Sequence, residues 1–301
     1  MGRLCFAAAL AGGLLLAGHG LAQEDLVFRS DVRLVRLLAT VKNGQDQPVG
    51  GLDKADFAVI DSGVPQEIAA FERYTLQPLS ISLLVDTSGS TAKELKGEIS
   101  AATKFLRALT KDGNPLDALS FYSFNQDVTQ QTGFTRSPAR VEKLVDRLTS
   151  EAGTSLYDAL TLASEPLARR DGRHVIIVVT DGGDTTSART YQDALRALHA
   201  ADAILFPIVI TPIRNAAGRN VGGENALTTL AQSTGGRAFF PDAVASLEDT
   251  FGEILRDLRT QYLIAYYPRG LPAASSPFRR VRITLKKTDL RASTRDGYYE
   301  K

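Results

Sequence analysis

The middle of the sequence alternates apolar runs of strand length with amphipathic segments of helix length. The runs predict strands that are buried on both faces, because Val, Ile, Leu and Phe dominate them. They are residues 79–85, 118–124, 174–180 and 204–210, and shorter strands are predicted at 128–134 and 238–240. Helices are predicted at residues 93–109, 140–148, 157–169, 191–201, 225–233 and 245–259. This alternation predicts an α/β fold in which helices cover both faces of a mostly parallel sheet.

The segments on either side of this region carry strand patterns only. Strands are predicted at residues 32–41, 57–61 and 68–74 before it, and at 262–267, 281–286 and 290–299 after it. Each set alone is too small to form a stable sheet. We therefore predict that the two sets pair as a small β-sandwich-like domain interrupted by the α/β domain. The predicted segments are 23–76, 77–260 and 261–301.

The first 22 residues have the pattern of a secretory signal peptide. Arg3 precedes an apolar stretch at residues 4–17, and Gly20-Leu21-Ala22 supplies the small residues that signal peptidase reads. We expect cleavage after Ala22 and no stable membrane span afterwards, because the apolar stretch is short for an uncleaved anchor, which is the alternative. The only cysteine, Cys5, lies in this segment. A mature chain without thiols is typical of a bacterial periplasmic or extracellular protein.

The segment Asp86-Thr87-Ser88-Gly89-Ser90 directly follows the first buried strand. The oxygen-bearing side chains at its alternating positions, Asp86, Ser88 and Ser90, therefore lie at the carboxyl end of that strand, where ligands bind in open α/β sheets. Thr154 precedes a predicted helix and Asp181 follows the strongest predicted strand, so a parallel sheet brings both to the same edge. Carboxylates and hydroxyls are hard oxygen donors, which favour Mg²⁺ or Mn²⁺ over zinc or copper.

On these residues the sequence resembles the von Willebrand factor type A domain family over roughly residues 78–260. The resemblance implies a Rossmann-like fold and a metal-ion-dependent adhesion site, in which Asp86, Ser88, Ser90, Thr154 and Asp181 fill every position of the family pattern. It further implies that the ion is Mg²⁺ or Mn²⁺ and that an Asp or Glu carboxylate of a protein partner completes its coordination shell.

The flanking segments are similar to those of a bacterial secreted group, often called VWFA-related. The similar stretches are Gly51-Leu52-Asp53-Lys54-Ala55-Asp56-Phe57 and Gly297-Tyr298-Tyr299. Together with the signal peptide, this similarity predicts an exported bacterial protein. The expectation that its function is adhesion rests on the five-residue site and on the absence of a nucleophile or general base beside it.

Two other interpretations of the site stay open at this point. Asp86-Thr87-Ser88 is superficially similar to the nucleophile loop of haloacid-dehalogenase-like phosphatases, but Ser88 replaces the second aspartate and so removes the general acid. The site could also be vestigial, with hydroxyls that cap a helix and aspartates that close turns. The formal net charge of +1 gives no support for a nucleic-acid partner. We therefore expect a non-enzymatic protein-binding module.

Overall fold

The computed structural model describes residues 34–73, 76–89, 95–111, 113–144, 146–210, 220–273 and 276–300. The predicted signal peptide and Ser90 lie outside these ranges.

The described chain forms thirteen strands and six α-helices. The strands are β1 (Val35–Lys42), β2 (Phe57–Asp61), β3 (Val64–Gln66), β4 (Ile68–Glu72), β5 (Leu79–Asp86), β6 (Ala118–Phe124), β7 (Val128–Thr135), β8 (Arg173–Thr180), β9 (Ala203–Val209), β10 (Tyr262–Tyr266), β11 (Phe278–Leu285), β12 (Arg291–Ser293) and β13 (Gly297–Tyr299). The helices are α1 (Leu95–Lys111), α2 (Pro138–Glu142), α3 (Leu156–Leu167), α4 (Tyr191–Ala200), α5 (Val221–Ser233) and α6 (Leu247–Arg259).

A five-stranded sheet in the order β7-β6-β5-β8-β9 forms the centre of the α/β region. The strands β6, β5, β8 and β9 are parallel, and β7 is an antiparallel edge strand. Every residue of β5 and β8 is buried, as expected for a parallel sheet that is covered on both faces. Leu83 on β5 packs in the same cluster as α1 and α6, whereas Leu84 packs with α3, α4 and α5. The predicted mostly parallel sheet between two helical layers is confirmed.

The remaining strands form two antiparallel sheets, β12-β1-β10-β4 and β13-β11-β2-β3. Strands from the two ends of the chain are neighbours: Leu37 on β1 pairs with Ile264 on β10, and Val59 on β2 pairs with Ile283 on β11. These four side chains belong to one hydrophobic cluster between the two sheets. The predicted fold class, an α/β domain inserted in a small β-sandwich, is therefore confirmed, and the exact segment boundaries stay a prediction.

Three predicted elements are wrong, and the first two are a helix and a short strand. The helix predicted at 140–148 ends at Glu142, and the chain continues in turns in which Leu144 N bonds Val141 O and Arg147 N bonds Leu144 O. Such three-residue turns satisfy the same apolar spacing as a helix, which explains the wrong prediction. The strand predicted at 238–240 is a single bridge between Phe239 and Ile208, because Pro241 follows with no amide proton to extend the pairing.

The strand predicted at 290–299 is two short strands in different sheets. Strand β12 pairs with β1, whereas β13 pairs with β11. Between them, Arg295 forms a bridge with Thr234, and Asp296 N donates to Ser233 O at 3.0 Å. Contacts with the end of α5 therefore redirect the chain from one sheet to the other.

The helices of the described residues are all too short or too polar to cross a membrane.

Candidate metal centre at the carboxyl edge of the sheet

Asp86 is the last residue of β5 and is completely buried at the carboxyl edge of the central sheet. Its Oδ2 accepts a hydrogen bond from Thr180 Oγ1 at 2.7 Å, and its Oδ1 accepts one from Ser88 N at 2.9 Å. Thr180 ends the adjacent strand β8, so the parallel register delivers this donor to the carboxylate. Both carboxylate oxygens are thus held in a fixed orientation. The hydrogen bond from Ser88 N to Asp86 also closes a turn, which is the role that an aspartate would have if the site were vestigial.

Burial raises the pKa of Asp86 from 3.8 to about 6, although the hydrogen bonds from Thr180 and Ser88 oppose the change. The negative charge of Asp181, the residue after β8, raises it further. The structure therefore brings two carboxylates close enough to repel each other, one of them without water. A cation between them relieves both the repulsion and the lost hydration.

The loop after β5 is held by the segment before α3. Ser88 forms a parallel bridge with Glu151, Ser150 Oγ donates to Ser88 O at 2.9 Å, and Glu151 N donates to Thr87 O at 3.2 Å. Ser88 is 5% exposed. The main chain of this loop is therefore fixed as far as Ser88, two residues before the predicted ligand Ser90.

Thr154 lies on the same segment and is tied to the loop that follows β8. Its N donates to Thr185 Oγ1 at 2.9 Å, and its O accepts from Thr185 N at 2.8 Å. Gly153 has a φ of 89°, and a Cβ there would lie 3.1 Å from atoms of Gln126 and Thr186. This close packing of three loops requires glycine at position 153.

Ser155 joins the same three loops but does not cap α3 with its side chain. Its Oγ donates to Gln126 O at 2.7 Å and lies 2.8 Å from Thr186 Oγ1. Helix capping therefore does not explain why this hydroxyl is there. Asp184, in contrast, has a structural contact, since its Oδ1 accepts from Ser187 Oγ and from Tyr157 N at the start of α3.

Sequence reasoning missed two parts of the surroundings. The sequence patterns identify Thr180 only as a strand residue. Its position directly before Asp181, at the carboxyl end of a parallel strand, also indicates that its hydroxyl lies near Asp86. The start of α5 also packs here: a Cβ on Gly223 would lie 1.4 Å from Gly182 O, and the buried Glu224 lies beside Gly182. No sequence pattern connects these segments, which lie some forty residues apart.

The donor chemistry of the assembled residues fits a hard divalent cation. Asp86, Ser88 and Asp181 come together, Thr154 lies on the adjoining loop, and all supply oxygen only. None of these side chains is a nitrogen or sulfur donor, which zinc commonly uses. The described residues contain no group of three or more His, Cys, Asp or Glu side chains placed to hold a metal. The role of the five predicted residues as ligands stays a prediction.

The raised pKa of Asp86 gives a testable pH dependence. Because the fold favours the protonated carboxyl, its contribution to stability is complete below the unfolded value of 3.8 and is lost as the pH rises through about 6. In EDTA, the unfolding free energy of the wild type relative to Asp86→Asn should fall by up to about 3 kcal/mol between about pH 4 and about pH 7. Urea unfolding across this range measures it, and a constant difference would contradict the prediction.

A parallel sheet between helical layers, with oxygen-bearing loops gathered at its carboxyl edge, defines a class of three-layer α/β domains. Residues 81–183 match the von Willebrand factor type A domain family. This segment runs from β5 to just beyond β8 and contains all five predicted site residues. The protein therefore contains a von Willebrand factor type A domain.

Several solved structures are similar to the chain. The vWF domain of the type V pili tip protein Mfa5 from Porphyromonas gingivalis is 14% identical, with a TM-score of 0.47 over 60% of this chain and 94% of that chain. The conserved hypothetical protein BatB from Bacteroides thetaiotaomicron is 16% identical, with a TM-score of 0.46 over 60% of this chain and 98% of that chain. The PilB minor pilin from Streptococcus sanguinis is 13% identical, with a TM-score of 0.48 over 62% of each chain, which is less than two thirds of PilB. No curated protein matches the sequence.

Proposed function

We propose that the protein is an exported, non-enzymatic binding module. It holds Mg²⁺ or Mn²⁺ through Asp86, Ser88, Ser90, Thr154 and Asp181, and it captures an acidic group of a protein partner. The observation that carries this proposal is the desolvated carboxylate of Asp86 beside Asp181, since such a pair is stabilised by a cation. Export rests on the signal-peptide pattern of residues 1–22.

The surroundings of Asp86 support a role in orienting a metal site. Thr180 Oγ1 and Ser88 N each donate a hydrogen bond to one oxygen of Asp86, so the orientation of the carboxylate is fixed in the absence of an ion. Ser88 and Thr154 are 5% and 7% exposed, on loops held by main-chain hydrogen bonds. The bound ion would supply an electrophilic coordination position for a carboxylate of the partner. The protein's own residues would set the position of that ion and exclude competing soft metals.

The arrangement gives little support to a hydrolase. Both histidines of the described residues lie away from this edge of the sheet. His174 is the second residue of β8, and its ring nitrogens lie 2.6 Å from Ala201 O and 2.9 Å from Arg170 O. His199 stacks on Phe278 of the sandwich. Turnover of a phosphate ester by the purified protein, lost in Asp86→Ala, would favour the phosphatase alternative.

Metal binding should appear as thermal stabilisation that depends on Asp86. At Mg²⁺ or Mn²⁺ concentrations about 100 times Kd, the wild type should gain about 2.7 kcal/mol by mass action. Asp86→Ala should gain nothing, whereas Asp171→Ala, which removes an exposed carboxylate before β8, should respond like the wild type. Differential scanning fluorimetry with each ion measures this. A wild type that does not respond to either ion would identify the site as vestigial.

Partner capture is tested separately from metal binding. Immobilised protein is incubated with proteins of the native cell envelope, with Mg²⁺ or with EDTA. Specific capture should disappear in EDTA and in Asp86→Ala. Capture that survives both changes would mean that the partner binds elsewhere on the protein.

A further inference from the structure

A second candidate binding site lies between the sandwich and the helical layer. The cavity there has a volume of about 200 Å³, far above the ~10–15 Å³ that one water molecule needs. Its charged lining consists of three cationic and two acidic side chains: Lys42, Arg237, Arg291, Asp46 and Asp257. None of these residues belongs to the candidate metal centre.

The inner part of this cavity is a paired set of buried charges. Lys42 Nζ lies 3.0 Å from Asp257 Oδ2, and the two side chains are only 10% and 4% exposed. Arg237 Nε also contacts Asp257 Oδ2 at 3.1 Å, while its NH2 bonds Glu253 from outside the cavity. Asp257 therefore neutralises part, but not all, of the positive charge.

Asp46 contacts all three cationic side chains with one carboxylate. Its Oδ2 lies 3.3 Å from Lys42 Nζ and 3.1 Å from Arg237 NH1, and its Oδ1 lies 3.9 Å from Arg291 NH2. The Asp46 side chain is 51% exposed, so it covers the cavity from the solvent side. The same convergence of one lysine and two arginines would accept a carboxylate or phosphate group of a ligand.

A well-defined turn holds Asp46 at the mouth of the cavity. Asp46 has a φ of 60°, in the left-handed region that glycine, asparagine and aspartate occupy most readily. The turn is held by Asn43, whose Oδ1 accepts from Gln45 N at 3.0 Å and Gln47 N at 2.9 Å. The turn therefore presents the Asp46 carboxylate to the three cations.

We infer that this cavity binds a small anion that bears a carboxylate or a phosphate group, and that Asp46 competes with it as a built-in anion. With Asp46 in place, the three cationic side chains are balanced by Asp46, by Asp257 and by Glu253, which binds Arg237 from outside the cavity. When a ligand displaces the Asp46 side chain, one net positive charge remains to compensate the incoming anion. The bound anion would bridge the sandwich, through Lys42 and Arg291, to Arg237 and α6.

The test is calorimetric titration of the full chain at low salt, after treatment with EDTA and dialysis into EDTA-free buffer, with inorganic phosphate and with succinate as separate probes. Asp46→Asn keeps a residue that tolerates the left-handed turn and removes the competing charge. It should bind at least one probe about tenfold more tightly than the wild type. Adding Arg291→Gln, an exposed position, should then weaken binding at least about threefold. Arg282→Gln, which removes an exposed arginine from β11, is the matched control and should change nothing.

Three results would overturn the inference: no binding of either probe to Asp46→Asn, equal affinity in the wild type and Asp46→Asn, or equal weakening by Arg282→Gln and Arg291→Gln. The first result excludes an anion site, the second excludes competition by Asp46, and the third indicates non-specific attraction. The probe that binds distinguishes a phosphate ligand from a carboxylate ligand. Because divalent ions are removed before the titration, the outcome is independent of the candidate metal centre.

Discussion

Asp61→Ala is expected to lower the free energy of unfolding by about 4 kcal/mol. Asp61 is completely buried at the end of β2, where its Oδ2 accepts hydrogen bonds from Tyr266 on β10 at 2.8 Å and from Tyr298 on β13 at 2.9 Å. Its Oδ1 accepts a third from Ser62 Oγ at 3.0 Å. Alanine would leave the buried Tyr266 hydroxyl and the half-buried Tyr298 hydroxyl without this acceptor, and each such loss costs about 1–3 kcal/mol, with the larger loss at Tyr266.

Urea unfolding of the wild type and the Asp61 variant measures this loss. Tyr298→Phe removes a single donor and should cost clearly less than Asp61→Ala. Asp289→Ala removes an exposed carboxylate from the same region and should leave stability unchanged within about 0.5 kcal/mol. If Asp61→Ala were no more harmful than this control, Asp61 would not be the polar centre of the sandwich.

Arg173→Met is expected to cost about 3 kcal/mol, through a different mechanism. Arg173 is buried at the start of β8 and binds both connections between the sandwich and the α/β region. Its Nε donates to Gln77 O, before β5, at 3.1 Å, and its NH1 donates to Leu258 O near the end of α6. Methionine has a similar length but no donors, so the buried Leu258 carbonyl and the partly buried Gln77 carbonyl would lose their partner.

The matched control for Arg173→Met is Arg256→Met, which replaces an exposed arginine on α6. Burial lowers the pKa of Arg173 to about 10, although the charge of Asp117 opposes the effect. The guanidinium is therefore still charged at neutral pH. Arg173→Met removes this buried charge, which stabilises the fold and offsets part of the free energy lost with the hydrogen bonds. A loss of stability equal to that of Arg256→Met would show that this gain cancels the hydrogen bonds.

The central sheet could be predicted from the sequence because local pattern and tertiary environment agree there. Residues of β5 and β8 form continuous apolar runs, and every one of them is buried. The end of the chain could not be predicted in the same way. One pattern at 290–299 became two strands because Ser233 and Thr234 bind the residues between them, and that contact has no local signature.

The candidate site shows the same contrast between local and distant information. Asp86, Ser88, Thr154 and Asp181 were predictable because each sits next to a recognisable strand or helix. Glu224 and Gly223 were not, since they approach Gly182 only through packing of α5 against the loop after β8. Asp46 was also missed, because its three cationic neighbours come from separate segments of the chain.

The pairing of β2 with β11 and of β1 with β10 fixes an order of events during biosynthesis. Residues 79–259 contain the whole central sheet and its helices, so this part can fold as soon as it has been synthesised. Strand β2 can pair early with β3, but its other neighbour, β11, is complete only after residues beyond 278 emerge. The whole α/β region therefore separates β1 from β10 and β2 from β11 along the chain, so these strand pairs form last. A chaperone that shields β1 and β2 would act between the synthesis of these strands and the synthesis of their partners.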